Sequence, residues 1–472
     1  LIFDDAQITD VGLGHLKGLS QLQGLFLDGT KVTDAGLAHL RGMTQLSALS
    51  LQRSEVTDAG LKQLEALTEL DTLSLRDTRI TDAGLKHLEK LTKLERLDLG
   101  HTQITDAGLE HLKDLERLEE FQIDGTKVTK EGLQKFEQAL LPKQQAFIVR
   151  HRGRGTLSEE SPDKPVIGMH LSGARVQDLG LQYLKEFKQL QTLDLSSNDV
   201  TDAGLEHLEG LLDLQSLDLR RTKVTDAGLQ HLKGLINLRS LDLSETQVTD
   251  AGLEHLKGLT QLQTLDLTRT KVTDVGLGRL KGLANLRSLK LCETQVTDAG
   301  LENLKVLAKL QTLDLGGQHV GDAGLQHLKG LVNLQSLSLG YSEVTDAGME
   351  HLRGLTKLQS LDLRSTQLTD AGLEQLKGLV ELQNLRLDET EVSDAGLRHL
   401  KGLTGLQTLD LRGTKVTDAG LQHLKGLTNL TSLELWQTQV SEAGVKNLQQ
   451  ALPACEIGHS QGPPRKLSPD AR

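Results

Sequence analysis

The sequence predicts an α/β solenoid, one short strand and one short helix stacked many times. Three observations predict it. A T-D-x-G-L pentad returns every 24 residues, at Asp10, Asp34, Asp58, Asp82 and Asp106, and the same register runs from Asp202 to Asp418. A fixed period of this length marks a repeat array. Within one unit Leu25 and Leu27 alternate as the inward side chains of a strand do, whereas Leu37, Leu40 and Met43 recur at three-residue spacing, as one face of a helical turn does.

Each unit therefore runs strand, turn, short helix and return. Thr33 is expected to cap the helix, with Asp34 in the first turn, where its charge meets the positive end of the helix dipole. Gly36 is a poor helix former, so its recurrence calls for a packing reason; a side chain there is expected to collide with the helix of the next repeat. At the turn, Thr30, Ser54, Thr78, Thr102 and their equivalents, with Asn198 in one unit, place a polar group expected to bond backbone groups of adjacent turns. No unit can bury its apolar face alone, so the leucines of successive units must form one continuous core.

The register breaks once. Lys130 stands where Asp is expected, the helix-like stretch from Gly132 to Leu141 runs into Pro142, and residues 144–149 are read as one last strand. The segment Arg150 to Pro165 lacks apolar periodicity and carries R-G-R-G and S-E-E-S-P, which reads as a linker or extruded loop. Val166 then reopens the repeat register, and the ending E-Q-A-L-L-P at Glu137 parallels Q-Q-A-L-P at Gln449. The expected organisation is a first array over residues 1–149, a linker over 150–165, a second array over 166–457 and a disordered tail over 458–472. A single solenoid with one degenerate repeat stays open as the alternative.

Composition narrows the function. A net charge of -12 argues against nucleic acid and against an anionic membrane surface, both of which select basic stripes. Two cysteines, Cys292 and Cys455, cannot build a disulfide framework. No apolar run approaches the length of a membrane span. The opening on Leu1, in mid-strand, is what a fragment or a processed product is expected to show, and the compartment stays open. The motifs G-x-x-x-x-G-K-[ST], G-x-S-x-G, H-E-x-x-H and paired C-x-x-C do not occur, so neither catalysis nor a cofactor is expected.

The motif L-x-x-L-D-L-x-x-T-x-V-T-D-A-G-L-x-H-L-K-G-L resembles the T-D-A-G-L class of bacterial leucine-rich repeat proteins, over nearly all of the chain outside residues 142–165 and the tail. It is similar as well to the cysteine-containing repeats of F-box substrate adaptors, although Thr stands here where Cys often stands there. The resemblance implies a right-handed α/β leucine-rich repeat horseshoe, with parallel strands on the concave face and short helices on the convex face. It implies a scaffold that binds a protein or peptide on the concave face; the substrate arm of a ubiquitin ligase and a structural cell-surface protein are the alternatives. A monomer is expected.

Positions equivalent to 24, 26, 28 and 29 should form four columns on the concave side. The second column holds Asp194, Asp218, Asp242 and Asp266 in succession, then Asp314, Asp362, Asp410 and Glu434. Two readings meet here. Arg220, Arg364 and Arg412 in the next column, with Arg221 and Arg269, can shield the carboxylates, or a basic partner segment can lie along the stripe. A divalent cation is a weaker third reading. Against an almost aromatic-free background, Phe26, Tyr341 and Trp436 are candidate anchors, with Phe26 and Trp436 read equally as shields of the array ends. The expected partner-binding set is Asp194, Asp218, Asp242, Asp266, Arg220, Tyr341, Arg364 and Trp436. The histidines His15, His39, His87, His111, His207 and their equivalents through His423 share one helix position and are read as solvent-facing.

Overall fold

In the computed structural model of the chain the described residues are 1–147, 154–157, 166–317 and 319–459. The chain divides into two compact units, Leu1–Arg152 and Gly153–Arg472.

The first unit carries a five-stranded parallel sheet in chain order, β1 (Gly24–Phe26), β2 (Ala48–Ser50), β3 (Thr72–Ser74), β4 (Arg96–Asp98) and β5 (Glu120–Gln122). Its register follows the repeat: Leu25 pairs with Leu49, Leu49 with Leu73, Leu73 with Leu97 and Leu97 with Phe121. The second unit carries a 14-stranded sheet. It opens with β6 (Arg154–Leu157) and β7 (Val166–His170), continues through β8 (Thr192–Asp194), β9 (Ser216–Asp218), β10 (Ser240–Asp242), β11 (Thr264–Asp266), β12 (Ser288–Lys290) and β13 (Thr312–Asp314), and then through β14 (Ser336–Ser338), β15 (Ser360–Asp362), β16 (Asn384–Arg386), β17 (Thr408–Asp410), β18 (Ser432–Glu434) and β19 (Glu456–Gly458). All neighbours from β7 onward are parallel; β6 alone pairs antiparallel, with β7.

The leucine pattern dictates each unit. Leu46, Leu49, Leu51, Val56, Leu61, Leu64 and Leu67, one unit's apolar set, are all at most 1% exposed. The helix is a single α turn, Asp34–Leu37, that tightens into a 3-10 turn over Ala38–Leu40. A 3-10 turn eclipses residues three apart, which accounts for the three-residue spacing of Leu37 and Leu40. Thr33 caps this turn as expected, its hydroxyl accepting the Ala35 N–H at 3.3 Å.

Successive units are joined by the pentad aspartate. Asp34 Oδ1 accepts the Thr57 N–H at 2.7 Å and Oδ2 accepts the Thr57 hydroxyl at 2.5 Å. The same clamp recurs from Asp10–Thr33 to Asp418–Ser441, with Gly321 supplying only its N–H to Asp298. The aspartate thus does more than meet its own helix dipole. It also corrects the reading of the pentad glycine, because a Cβ at Gly60 would lie 3.0 Å from Leu37 Cδ1 and would strike Asp34 Oδ1. The obstacle is the preceding repeat's clamp, not the next repeat's helix.

A second correction concerns the turn hydroxyls. Thr30 Oγ1 donates to the Leu27 carbonyl at 2.6 Å, within its own turn, and the other threonines and serines of the column do the same. A hydroxyl reaches only three residues back. Asn198, with a longer side chain, crosses to the preceding unit: Nδ2 donates to the Leu171 carbonyl at 2.7 Å and Oδ1 accepts the Val176 N–H at 2.9 Å.

The ends of the arrays use longer helices. Lys130–Phe147 is one helix that continues past Pro142 and takes in residues 144–147, where a strand was expected; residues 148 and 149 lie outside the described residues. Proline removes one helical hydrogen bond but does not set the residues after it in an extended form. Here burial decides, since Phe136, Leu140 and Ala146 are all buried and the Phe136 ring lies 5.3 Å from that of Phe121 on β5. Within the segment read as a linker, β6 covers the outer edge of β7, and the remainder of 150–165 lies outside the described residues. The last strand, β19, ends at Gly458; residues 460–472 of the expected tail lie outside the described residues as well.

Candidate partner-binding surface

A three-residue strand buries its middle side chain and leaves the first and third facing out, as the burial of Ser216, Leu217 and Asp218 shows. The parallel register then sets the third residues side by side: Asp194 beside Asp218, Asp218 beside Asp242, and Asp242 beside Asp266. These four predicted residues form one continuous stripe across β8 to β11.

Every one of them also holds its own turn. Oδ1 accepts the N–H two residues on, that of Ser196 at 2.9 Å, Arg220 at 3.0 Å, Ser244 at 2.9 Å and Thr268 at 2.9 Å. Sequence reasoning missed this role, although the recurrence of Asp just before a turn was its signal. The second oxygens are compensated unequally. Arg220 Nη2 lies 2.6 Å from Asp218 Oδ2 while its Nε is 3.9 Å from Asp242 Oδ2, and Lys290 Nζ lies 3.1 Å from Asp266 Oδ2. Burial, aided by the carboxylates of Asp266 and Asp218, pushes the Asp242 carboxyl above its ordinary value.

A second charged cluster spans β15 to β17. Arg364 Nε sits 3.2 Å from Asp362 Oδ2, and Arg386 Nη1 sits 3.5 Å from the same oxygen. Arg412 Nη2 is 2.6 Å from Asp410 Oδ2 and 3.5 Å from Asp388 Oδ2. Arg386 and Asp388 were not singled out from the sequence, because each is an exception in its column.

The aromatic candidates separate. Tyr341 is 58% exposed, and the Arg364 guanidinium carbon lies 5.3 Å from its ring centroid, so these two predicted residues meet. Trp436 stands apart at the array end. Its Nε1 donates to Glu434 Oε2 at 2.7 Å, and a Cβ at Gly458 on β19 would lie 2.8 Å from the same nitrogen, so the indole lies over the last strand.

The histidine column keeps to the solvent-facing reading at His15 and His39, which are exposed, and departs from it in the later units. His87, His231 and His351 are half-buried and His399 is buried. The 3-10 turns of neighbouring units pack together. Where the preceding unit offers a glutamate, Nδ1 pairs with it, as in His87 with Glu65 at 2.6 Å and His231 with Glu209 at 2.7 Å. Among the described residues no group of three or more His, Cys, Asp or Glu is placed to hold a metal ion, and no helix is long and apolar enough to cross a membrane.

A family model described as a leucine-rich repeat region matches residues 223–463, just over half of the chain. The chain belongs to the leucine-rich repeat family. Further leucine-rich repeat models match residues 68–114 and 188–248 of this leucine-rich repeat protein. Among solved structures it is similar to an internalin, InlF, of Listeria monocytogenes, at 24% identity and a TM-score of 0.51, over 68% of this chain and 95% of that one. A leucine-rich repeat protein of Leptospira interrogans matches at 19% identity and a TM-score of 0.46, over 96% of this chain and 99% of that one. None of the curated proteins matches it. Each unit by itself has the α/β leucine-rich repeat horseshoe fold, parallel strands on the concave face and short helices on the convex face. Proteins of this family are typically binding scaffolds without catalytic activity.

Proposed function

We propose that this leucine-rich repeat protein is a non-catalytic scaffold whose second array binds an extended polypeptide, with basic side chains, along its concave strand face. The observation that carries the reading is the in-register stripe Asp194–Asp218–Asp242–Asp266. Turn formation employs one carboxylate oxygen of each residue and explains why Asp recurs, but it does not neutralise the charge. Four carboxylates side by side on adjacent strands, about 4.8 Å apart, Asp266 among them buried, repel one another, and Arg220 and Lys290 offset only part of that. A partner's Lys or Arg residues would supply the remaining cations, steering association at low salt. Arg220, Arg364, Tyr341 and Trp436 border the stripe or extend it toward the array end and would shape the rest of the contact.

The reading is tested with Asp218→Asn plus Asp242→Asn. Asparagine keeps the Oδ1 that accepts the turn N–H, so circular dichroism should not change. Affinity for a lysine- and arginine-rich peptide at low ionic strength should fall about tenfold, with a flatter salt dependence. Undiminished binding by the double variant refutes the stripe.

A further inference from the structure

We propose that a hollow around Asp314 seats a single long basic side chain, arginine or lysine, of the polypeptide on the strand face. This rests on the preceding reading and gives it a specific contact. In most units the position two residues past the strand carries a side chain that covers the turn. Two consecutive units break that habit with Gly316 and Gly340, after a small Cys292 in the unit before them, and Gly317 follows the first of the two. The missing side chains leave a hollow of about 370 Å3, lined by Cys292, Glu293, Asp314, Gly316, Tyr341 and Arg364 among others.

Charge decides what fits. Asp314 Oδ1 accepts the Gly316 N–H at 3.0 Å, and its carboxylate makes no ion pair among the described residues. The cations nearby are engaged elsewhere: Lys290, its neighbour on β12, reaches Asp266 at 3.1 Å, Arg269 holds Glu293 at 2.8 Å, and Arg364 lies 3.2 Å from Asp362. The hollow therefore holds one uncompensated negative charge. An acidic or phosphorylated side chain would face Asp314 and Glu293 together. An apolar one would cover a carboxylate without giving it a partner, which is costly. A lysine or arginine satisfies both demands: its stem lies along the Tyr341 ring and the Gly316 backbone, since Arg364 already covers Gly340, and its head reaches the second oxygen of Asp314. The Cys292 thiol resists ionisation, its pKa pushed up to about 11 by burial and then by Asp314 and Glu293 against a smaller opposite pull from Arg269 and Arg364, which agrees with a negative field in the hollow.

The probe is a fluorescein-labelled Gly-Ser peptide with arginine at alternate positions, and its control carries glutamine in place of arginine. Binding is read by fluorescence anisotropy at low ionic strength, with circular dichroism as the check on folding. Asp314→Asn, which keeps the bond to the Gly316 N–H, should weaken binding about tenfold. Ser338→Leu, which fills the hollow from β14 without removing charge, should do the same. Asp194→Asn, an equal loss of charge in the same column, should weaken it far less. In a Cys455→Ala background the arginine peptide should slow alkylation of Cys292, and the glutamine peptide should not. If Asp314→Asn costs no more than Asp194→Asn, or if Cys292 alkylates at the same rate with the peptide bound, the hollow is not the seat, and the acidic stripe alone accounts for binding. If the unaltered chain does not bind the arginine peptide, both the hollow and the basic-segment reading fall.

Discussion

Asp226 holds Thr249, the helix-capping residue of the next unit, by two bonds at once: Oδ1 accepts the Thr249 N–H at 2.7 Å and Oδ2 accepts its hydroxyl at 2.6 Å. The clamp passes over Gly252, where a Cβ would lie 2.5 Å from Asp226 Oδ1 and 3.0 Å from Leu229 Cδ1. A helix ordinarily gains from Gly→Ala by up to about 1 kcal/mol. Here the overpacking should win. Gly252→Ala is expected to destabilise the second array by about 1–3 kcal/mol in urea titrations. In an Asp226→Ala background, with the carboxylate gone, the same change should cost much less; equal costs in both backgrounds would contradict the clamp.

Asn198 should matter more than its threonine equivalents. Its bonds to the Leu171 carbonyl and the Val176 N–H tie two units, whereas Thr222 donates to Leu219 within one turn. Asn198→Thr is therefore expected to leave the Val176 amide without its acceptor and to lower its hydrogen-exchange protection, by about 1–3 kcal/mol for a buried group. Amides near β15 should not respond. Unchanged protection at Val176 would show that the crossing bond contributes nothing.

Leu241, fully buried on β10 between Leu217 and Leu265, tests the core directly. Leu241→Asp places a carboxylate among leucines and should cost more than about 3 kcal/mol, enough to melt the units around it. Because each repeat depends on its neighbours, the loss should spread along the array and show as reduced helical and sheet signal. An unaltered melting curve would mean that this residue does not face inward.

The fold was legible because period and leucine spacing determine which side chains face inward in every unit: Leu25, Leu27, Leu37 and Leu40 occupy the places their spacing requires. What a column does between units was less legible. Equivalent positions share one environment, but the sequence does not state whether a side chain reaches its own turn or its neighbour's. Thr30 stays within its turn, Asn198 crosses to the preceding unit, and Asp34 reaches forward to Thr57, so that each pentad glycine meets the clamp of the repeat before it and not the helix of the one after. The acidic stripe was readable from register alone. The hollow at Asp314 was not, since it arises from three small residues that each look unremarkable in a single unit.

The histidine column predicts how stability responds to acid. His399 is buried; its Nε2 accepts from Arg398 Nε at 3.2 Å, and its Nδ1 is buried with no partner among the described residues. Burial, then Lys377 and Arg398, hold its pKa below the ordinary 6.5, against an opposite pull from Glu374 and Asp370. His207 is lowered by burial and Lys185, opposed by Glu206 and Asp178, and His255 by burial and Lys233, opposed by Asp226 and Glu254. A depressed folded pKa means that the unfolded chain binds more protons, so stability rises with pH. The contribution is complete above about pH 6.5 and is lost as pH falls from there toward the folded values. Thermal melting should accordingly drop between about pH 7.5 and pH 5.5. His399→Gln should make the drop shallower, because Gln375 already occupies the same position one unit earlier and titrates nothing. If the variant and the parent lose the same number of degrees over that interval, protonation of His399 is not part of the acid response.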